Sequence, residues 1–411
     1  MSIKYLTILL VTLPGLAGIF SSSAATIKYT GVNLFGAEFG EQNLPGIYIS
    51  DYVYPNQTEV DYFRGKGMNV IRLPFRWERL QRTNNANLDP TELGRLNSFV
   101  AATTAKGVFV ILDPHNFARY YPNPRSDFQG ATNGLLGTTV PYADFGNFWS
   151  RIASIYKTND HVIFNLMNEP ANMLTEHWLD AANTAIAAIR ATGSTNLILV
   201  PGNGYTGAWT WFANWYGTPN AQAMLNIVDS GNNYAYDVHQ YLDSDGSGTS
   251  SNIGYAAIGA DRLAGFTQWL KDNNRKGFLG EFAVAESTIG NGIGDEAISN
   301  ILTHITVNAD VWLGWTWWAA GPYFTSYMFS LEPVGGVDRP QTPILKNFIP
   351  FPDLTLVVTT TNKFQFLAQP GFVYQTEASP NLSAGSWTNY SSAMTGNGNL
   401  TNVTMQVGTG L

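Results

Sequence analysis

The 411-residue sequence has no cysteine, and only 13% of its residues are charged, about half the usual share. The absence of cysteine excludes a disulfide scaffold, a Cys-ligated zinc or iron–sulfur site, a thiolate-bound haem and a thiol nucleophile. It also excludes a lipid-anchored start. Basic residues are scarce too: 22 Lys and Arg stand against 30 Asp and Glu, a formal charge of −8. Such a chain offers no electrostatic footprint for nucleic acid. Long apolar runs are missing as well. The longest, residues 5–20, falls short of the roughly 20 residues that span a bilayer and is broken by Pro14, Gly15 and Gly18. No membrane partner is expected.

What the chain has in abundance is apolar and aromatic. Hydrophobic residues make up 45%, and there are 12 Trp and 20 Tyr. That composition is ample for a core and excludes wholesale disorder. The polar surface must then be built largely from Asn, Thr, Ser and Gly.

Residues 1–25 have the three-part pattern of an export signal. Lys4 is the basic start, the apolar run follows, and Ser21-Ser22-Ser23-Ala24-Ala25 supplies small residues for cleavage. A secreted, extracellular protein is expected. From residue 26 to 349, short apolar strands alternate with helical stretches. The strands are expected at 29–35, 69–73, 108–112, 162–166, 197–200, 236–239, 278–280 and 312–317. Helices are expected at 58–66, 91–105, 142–156, 176–191, 255–273 and 295–308. Eight such units fit an α/β fold of the (β/α)8 TIM-barrel type. The alternative, a doubly wound sheet, calls for a glycine-rich phosphate loop after the first strand. The sequence there is Phe35-Gly36-Ala37-Glu38-Phe39-Gly40, which lacks that spacing. Residues 350–411 form a short β-rich C-terminal extension after Ile349-Pro350-Phe351-Pro352, with alternating apolar and polar residues.

In a (β/α)8 barrel the functional side chains project from strand C-termini. Those ends read Arg72-Leu73-Pro74, Asp113-Pro114-His115-Asn116, Asn168-Glu169-Pro170, His239-Gln240-Tyr241, Gly280-Glu281-Phe282 and Trp317-Trp318-Ala319. Glu169 and Glu281 end strands four and seven, on opposing sides of the mouth. Two carboxylates flanking a sugar–sugar bond can serve as acid/base and nucleophile. Either glutamate alone reads equally well as a strand-terminal ion pair; the convergence of the neighbours favours chemistry.

These motifs, with Gly314-Trp315-Thr316-Trp317-Trp318-Ala319-Ala320-Gly321-Pro322 and Pro201-Gly202-Asn203-Gly204-Tyr205-Thr206-Gly207-Ala208, resemble those of glycoside hydrolase family 5 endoglucanases, in particular the fungal-type branch. The resemblance spans about residues 28–348 and does not reach the tail. It implies a retaining endo-β-1,4-glucanase, or cellulase, acting on a cellulose-like β-glucan without cofactor or metal, as a monomer. It implies Glu169 as acid/base and Glu281 as a nucleophile held ionised by Arg72 and Tyr241. It further implies Asn168 as donor to the sugar 2-OH, His115 and His239 as donors around that sugar and the acid/base, and Trp318 as the platform beneath the sugar. A β-mannanase or β-1,3-glucanase would use the same two glutamates. A carbohydrate-binding protein without catalysis is a third reading, disfavoured by the intact pair.

Trp209, Trp211 and Trp215 crowd the loop after strand five. Aromatic faces suit the C–H faces of sugars, so Trp209 and Trp211 are candidate substrate contacts. The same cluster could simply pack a long loop, and Tyr120 and Tyr121 carry the same ambiguity. Asp243-Ser244-Asp245-Gly246-Ser247-Gly248 matches the opening of a calcium loop, but its twelfth position is Gly254 where a bidentate Glu is needed. No His-Glu-x-x-His zinc motif occurs. N-glycosylation sequons stand at Asn56, Asn381, Asn389, Asn399 and Asn402.

Overall fold

The computed structural model describes residues 5–11, 26–121, 134–350 except 291, 322 and 324, and in the tail 357–360, 363–368, 370, 372–379, 388–389 and 392–404. Eight strands close into a barrel. They are β1 (Tyr29–Leu34), β2 (Val70–Phe75), β3 (Phe109–Pro114), β4 (Val162–Asn165), β5 (Ile198–Pro201), β6 (Tyr234–His239), β7 (Gly277–Glu281) and β8 (Trp312–Ala320). Each pairs in parallel with the next, and β8 returns to β1 with Gly314 opposite Tyr29. The fold is the expected (β/α)8 barrel, and closure removes the doubly wound alternative.

The helices follow local chemistry. Helix Gln57–Gly65 opens on a capping box: Asn56 accepts from the Thr58 and Glu59 amides, and Glu59 reaches back to the Asn56 amide. Helix Pro90–Thr104 starts on an Asp89 cap with proline at its first position. Between β5 and β6 the only helical segments among the described residues are short, Asn220–Ala223 and Met224–Asn226. That leaves residues 202–219 free to line the rim.

Period-two alternation along the strands sets the barrel interior in layers. Tyr29, Val70, Ile111, Ile163, Leu199, Ala235 and Phe278 form a closed apolar cluster of their own at its base. Two residues further along β2, β3, β4 and β6 stand Arg72, Asp113, Asn165 and Asp237, and four residues along β1 stands Asn33, all at most 1% exposed. An apolar floor thus carries a polar layer, and the C-terminal mouth of the barrel rests on that layer.

In the tail, Val357–Thr360, Lys363–Leu367 and Leu400–Thr404 form an antiparallel sheet. Val373–Ser379 pairs with Thr388–Asn389 and Met394–Thr395, and also, in parallel, with Tyr5–Val11. Phe366, Phe372, Tyr374 and Val403 join the main core. Gly67 makes this docking possible: a Cβ there would lie 3.1 Å from the Phe372 ring. Apart from Tyr5–Val11, the expected export segment lies outside the described residues, as does the sequon at Asn381. Among the described residues no helix is long and apolar enough to cross a membrane.

Candidate active site

Arg72 is the hub of the mouth. Fully buried on β2, it donates from Nη1 to Asn33 Oδ1 and Glu281 Oε1, and from Nη2 to Asn168 Oδ1, each at 2.8 Å. Nη2 also lies 3.1 Å from Asp113 Oδ2. Burial disfavours its charge, but Asp113, Glu281 and Asp237 more than offset this and hold it above the ordinary guanidinium range. Asn33 fixes the hub from β1 by donating to the carbonyls of Gly280 and Trp317, on the two strands beyond it.

This hub settles the orientation of Asn168. Its Oδ1 accepts from Arg72, so its Nδ2 is the donor facing His115 Nε2 at 3.2 Å. His115 Nε2 must then accept, which places the ring proton on Nδ1, 2.9 Å from Asp113 Oδ2. Asp113 receives a further bond from Asn165. Burial works to raise its pKa, yet Arg72 and His115 hold it below the ordinary carboxylate value. One Nδ2 hydrogen of Asn168 remains for another acceptor. Both ring nitrogens of His115 are engaged within the protein, so the ring supports Asn168 instead of reaching a sugar as expected.

Glu281 ends β7, with Oε1 on Arg72 and Oε2 accepting from the Tyr241 hydroxyl at 2.7 Å. Burial pushes its carboxyl above the ordinary value, while the positive charges of His239 and Arg72 pull the other way. Arg72 and Tyr241 contact it as expected, and His239 is a further positive charge beside it. Tyr241 itself, buried and next to that carboxylate, sits far above the ordinary phenol range and stays a donor.

Glu169 follows β4 with a left-handed backbone, φ 43°. Such a conformation costs a non-glycine residue about 1–3 kcal/mol. The bonds on either side secure it. The Asn168 amide donates to Pro114 O, and the Tyr205 amide donates to Pro170 O. The side chain, 17% exposed, turns into the mouth, where its Oε1 lies 2.6 Å from His239 Nδ1. One oxygen of each glutamate and one His239 nitrogen all lie within 4.8 Å of one another. Burial works against charge on His239, but Glu281, Asp237 and Glu169 push its pKa up to about 10.

Among the described residues, Glu169, His239 and Glu281 are the group of potential metal ligands that converges. The donor set does not suit a cation. Both oxygens of Glu281 are taken, and a protonated His239 has no lone pair to give.

The tryptophans divide. Trp315 and Trp317 are fully buried, while Trp318 lines the mouth half-buried, its ring stacked on His115 at 5.5 Å and 15°. Trp209 is 42% exposed, with Arg262 over its ring at 4.6 Å and its amide on Gln240 Oε1. Trp211 corrects an expectation. It is 0% exposed and packs edge-on against Tyr236, Phe266 and Trp269 behind β6, out of reach of any substrate. The Trp211 amide donates to Ala208 O, so the chain turns tightly between the two rings. Tyr120 is likewise buried, donating to Gln81 O.

The Asp243 loop is not built for calcium. Asp243 accepts from Ser247 Oγ and the Gly248 and Ser250 amides, and Asp245 accepts from Ser247, so both carboxylates close the loop on itself.

The supporting residues Asn33, Asp113, Asn165 and Asp237 were not among the expected site residues. A signal for them exists: each is a polar residue two or four positions beyond an inward apolar one.

Residues 22–321 match the model of one enzyme family, cellulase (glycosyl hydrolase family 5). The chain belongs to glycosyl hydrolase family 5. This family-5 glycoside hydrolase is 40% identical over 318 residues to a probable endo-beta-1,4-glucanase B of Aspergillus oryzae, covering 76% of this chain and 87% of that one. It is 37% identical to endo-beta-1,4-glucanase A of Emericella nidulans, covering 80% and 94%. Among solved structures, XacCel5A in complex with cellopentaose is 45% identical, with a TM-score of 0.72 over 78% of this chain and 99% of that one. An endo-beta-1,4-glucanase from Xanthomonas axonopodis pv. citri is 42% identical, with a TM-score of 0.74 over 79% and 98%. In none of these four does the coverage of this chain exceed 80%.

Proposed function

We propose that this family-5 hydrolase is a secreted, retaining endo-β-1,4-glucanase that cleaves internal bonds of cellulose-like β-glucans, working as a monomer. The observation that carries the mechanism is the approach of Glu169 and Glu281, whose nearest oxygens lie within 4.8 Å. Retaining enzymes hold their carboxyls about 5–5.5 Å apart, whereas inverting ones need about 6.5–9.5 Å to admit a water. The relatives named as endo-beta-1,4-glucanases, and the neighbour solved with cellopentaose, support β-1,4-glucan over β-mannan or β-1,3-glucan.

In the first step Glu169 gives its proton to the glycosidic oxygen as Glu281 attacks the anomeric carbon. The carbon–oxygen bond to the leaving chain breaks and an ester to Glu281 forms. In the second step Glu169, now a carboxylate, takes a proton from water. The water oxygen adds to the same carbon, and Glu281 leaves with its bonding pair. Two inversions restore the β configuration. The free Nδ2 hydrogen of Asn168 is the donor to the sugar 2-OH, and Trp318 is the apolar floor under that sugar. Trp209, exposed on the loop after β5, offers a further aromatic face to the glucan chain.

Release of reducing ends from soluble β-1,4-glucan, set against β-mannan and β-1,3-glucan, tests the activity. No release from any of the three sinks it. Proton NMR of the first product tests the stereochemistry: an initial α anomer would rule out double displacement.

A further inference from the structure

One buried carboxylate in the barrel takes no part in the double displacement. Asp237 lies on β6, 0% exposed, and neither of its carboxylate oxygens accepts a hydrogen bond from the protein. Its Oδ2 faces His239 Nε2 at 3.6 Å, and that nitrogen has no hydrogen-bond partner of its own. A buried carboxylate without compensation is costly, so the placement calls for an explanation. Space for it is reserved by Gly280, the residue before Glu281: a Cβ there would lie 2.4 Å from Asp237 Oδ1. The glycine of the Gly-Glu-Phe motif therefore keeps room for this side chain.

The charged groups around His239 come from several strands. Glu169 at the end of β4 lies 2.6 Å from Nδ1, and Glu281 at the end of β7 lies 3.5 Å from the same nitrogen. Arg72 on β2 and Asp113 on β3 belong to the layer below, where Arg72 is already committed to Asn33, Glu281, Asn168 and Asp113. The Tyr241 hydroxyl is spent on Glu281. On the Nε2 side, Asp237 is the facing charge.

We propose that Asp237 is a positioning residue: it holds the Nε2 proton of His239 so that Nδ1–H donates to Glu169, which directs the acid proton of Glu169 toward the substrate. With Nδ1 donating to Oε1, a protonated Glu169 carries its hydrogen on Oε2, free to reach the glycosidic oxygen. With a bare Nδ1, the Glu169 proton would sit on Oε1 and bond to the ring instead, withdrawn from the leaving group. The high pKa of His239 agrees with this. The proposal rests on the reading of Glu169 as acid/base.

The test is Asp237→Asn, equal in size and without charge, read on the imidazole itself. The ¹⁵N titration of His239 should move to lower pH by about one unit or more, the range for loss of a nearby opposite charge. The basic limb of the kcat/KM profile should follow in the same direction, with kcat falling more than KM rises. A folded Asn variant whose ring titration and pH profile match the wild type overturns the proposal. Should the variant fail to fold, the wild-type ring decides. Protons on both Nδ1 and Nε2 at neutral pH support the assignment, and a ring with either nitrogen bare overturns it. Because the titration needs no substrate, failure of the glucanase reading is seen separately, as absent hydrolysis by the wild type.

Discussion

A single ring nitrogen, Nδ1 of His239, stands 2.6 Å from Glu169 Oε1 and 3.5 Å from Glu281 Oε2. The two carboxyl groups at the ends of strands four and seven thus share one imidazole.

The roles of the pair separate by rescue. Glu281→Gln removes the attacking oxygen and should abolish turnover. Glu169→Gln should cost about 10²–10⁴-fold, the usual weight of general acid–base catalysis. An external anion such as azide should restore deglycosylation in the Glu169 variant only, measured with a substrate whose leaving group needs no proton. Near-normal activity of Glu281→Gln would reverse the assignment.

Arg72 is fully buried and bonded to three strands besides its own. Replacing it with Met leaves Asp113 and Glu281 buried without their cation, and stability should fall by about 3–5 kcal/mol. Chemical denaturation checks this. A loss below about 1 kcal/mol would show that the layer reorganises.

The raised pKa of His239 makes stability depend on pH. Unfolded, the ring takes its ordinary value of 6.5; folded, it is held at about 10. The folded state therefore binds the proton more tightly, and the contribution is fully present below 6.5. It is lost progressively as pH rises from 6.5 through about 10. Melting temperature should decline over that window, and His239→Asn should flatten the decline. A melting temperature that rises between pH 7 and pH 10 would contradict it.

Trp209 and Trp211 should behave oppositely although two residues apart. Trp209→Ala, at an exposed ring clamped by Arg262, should raise KM for long glucans with little change in melting temperature. Trp211→Ala empties a closed aromatic core and should cost about 3–5 kcal/mol of stability. Loss of stability in the first variant and not the second would exchange their places.

The sequence by itself determined the architecture and the placement of Glu169 and Glu281 on one rim of the barrel. Eight apolar segments separated by capped helical stretches leave few alternatives to a closed barrel. The residues at or just beyond the ends of those segments, Arg72, His115, Asn168, Glu169, His239, Tyr241, Glu281 and Trp318, gather at one end of the barrel. Local chemistry suffices for this, because strand ends in a parallel barrel share one face. What only the tertiary structure decided depends on distance across the barrel or on side-chain direction. Trp211 faces inward from the tight turn at 208–211 onto Tyr236, Phe266 and Trp269, which residue type does not encode. His115 is turned to Asp113 and Asn168 because Arg72, from another strand, fixes the Asn168 amide. Asp237 is set against His239 because Gly280, forty-three positions away in the chain, leaves the space. Each of these depends on packing between strands far apart in sequence, and no single segment carries it.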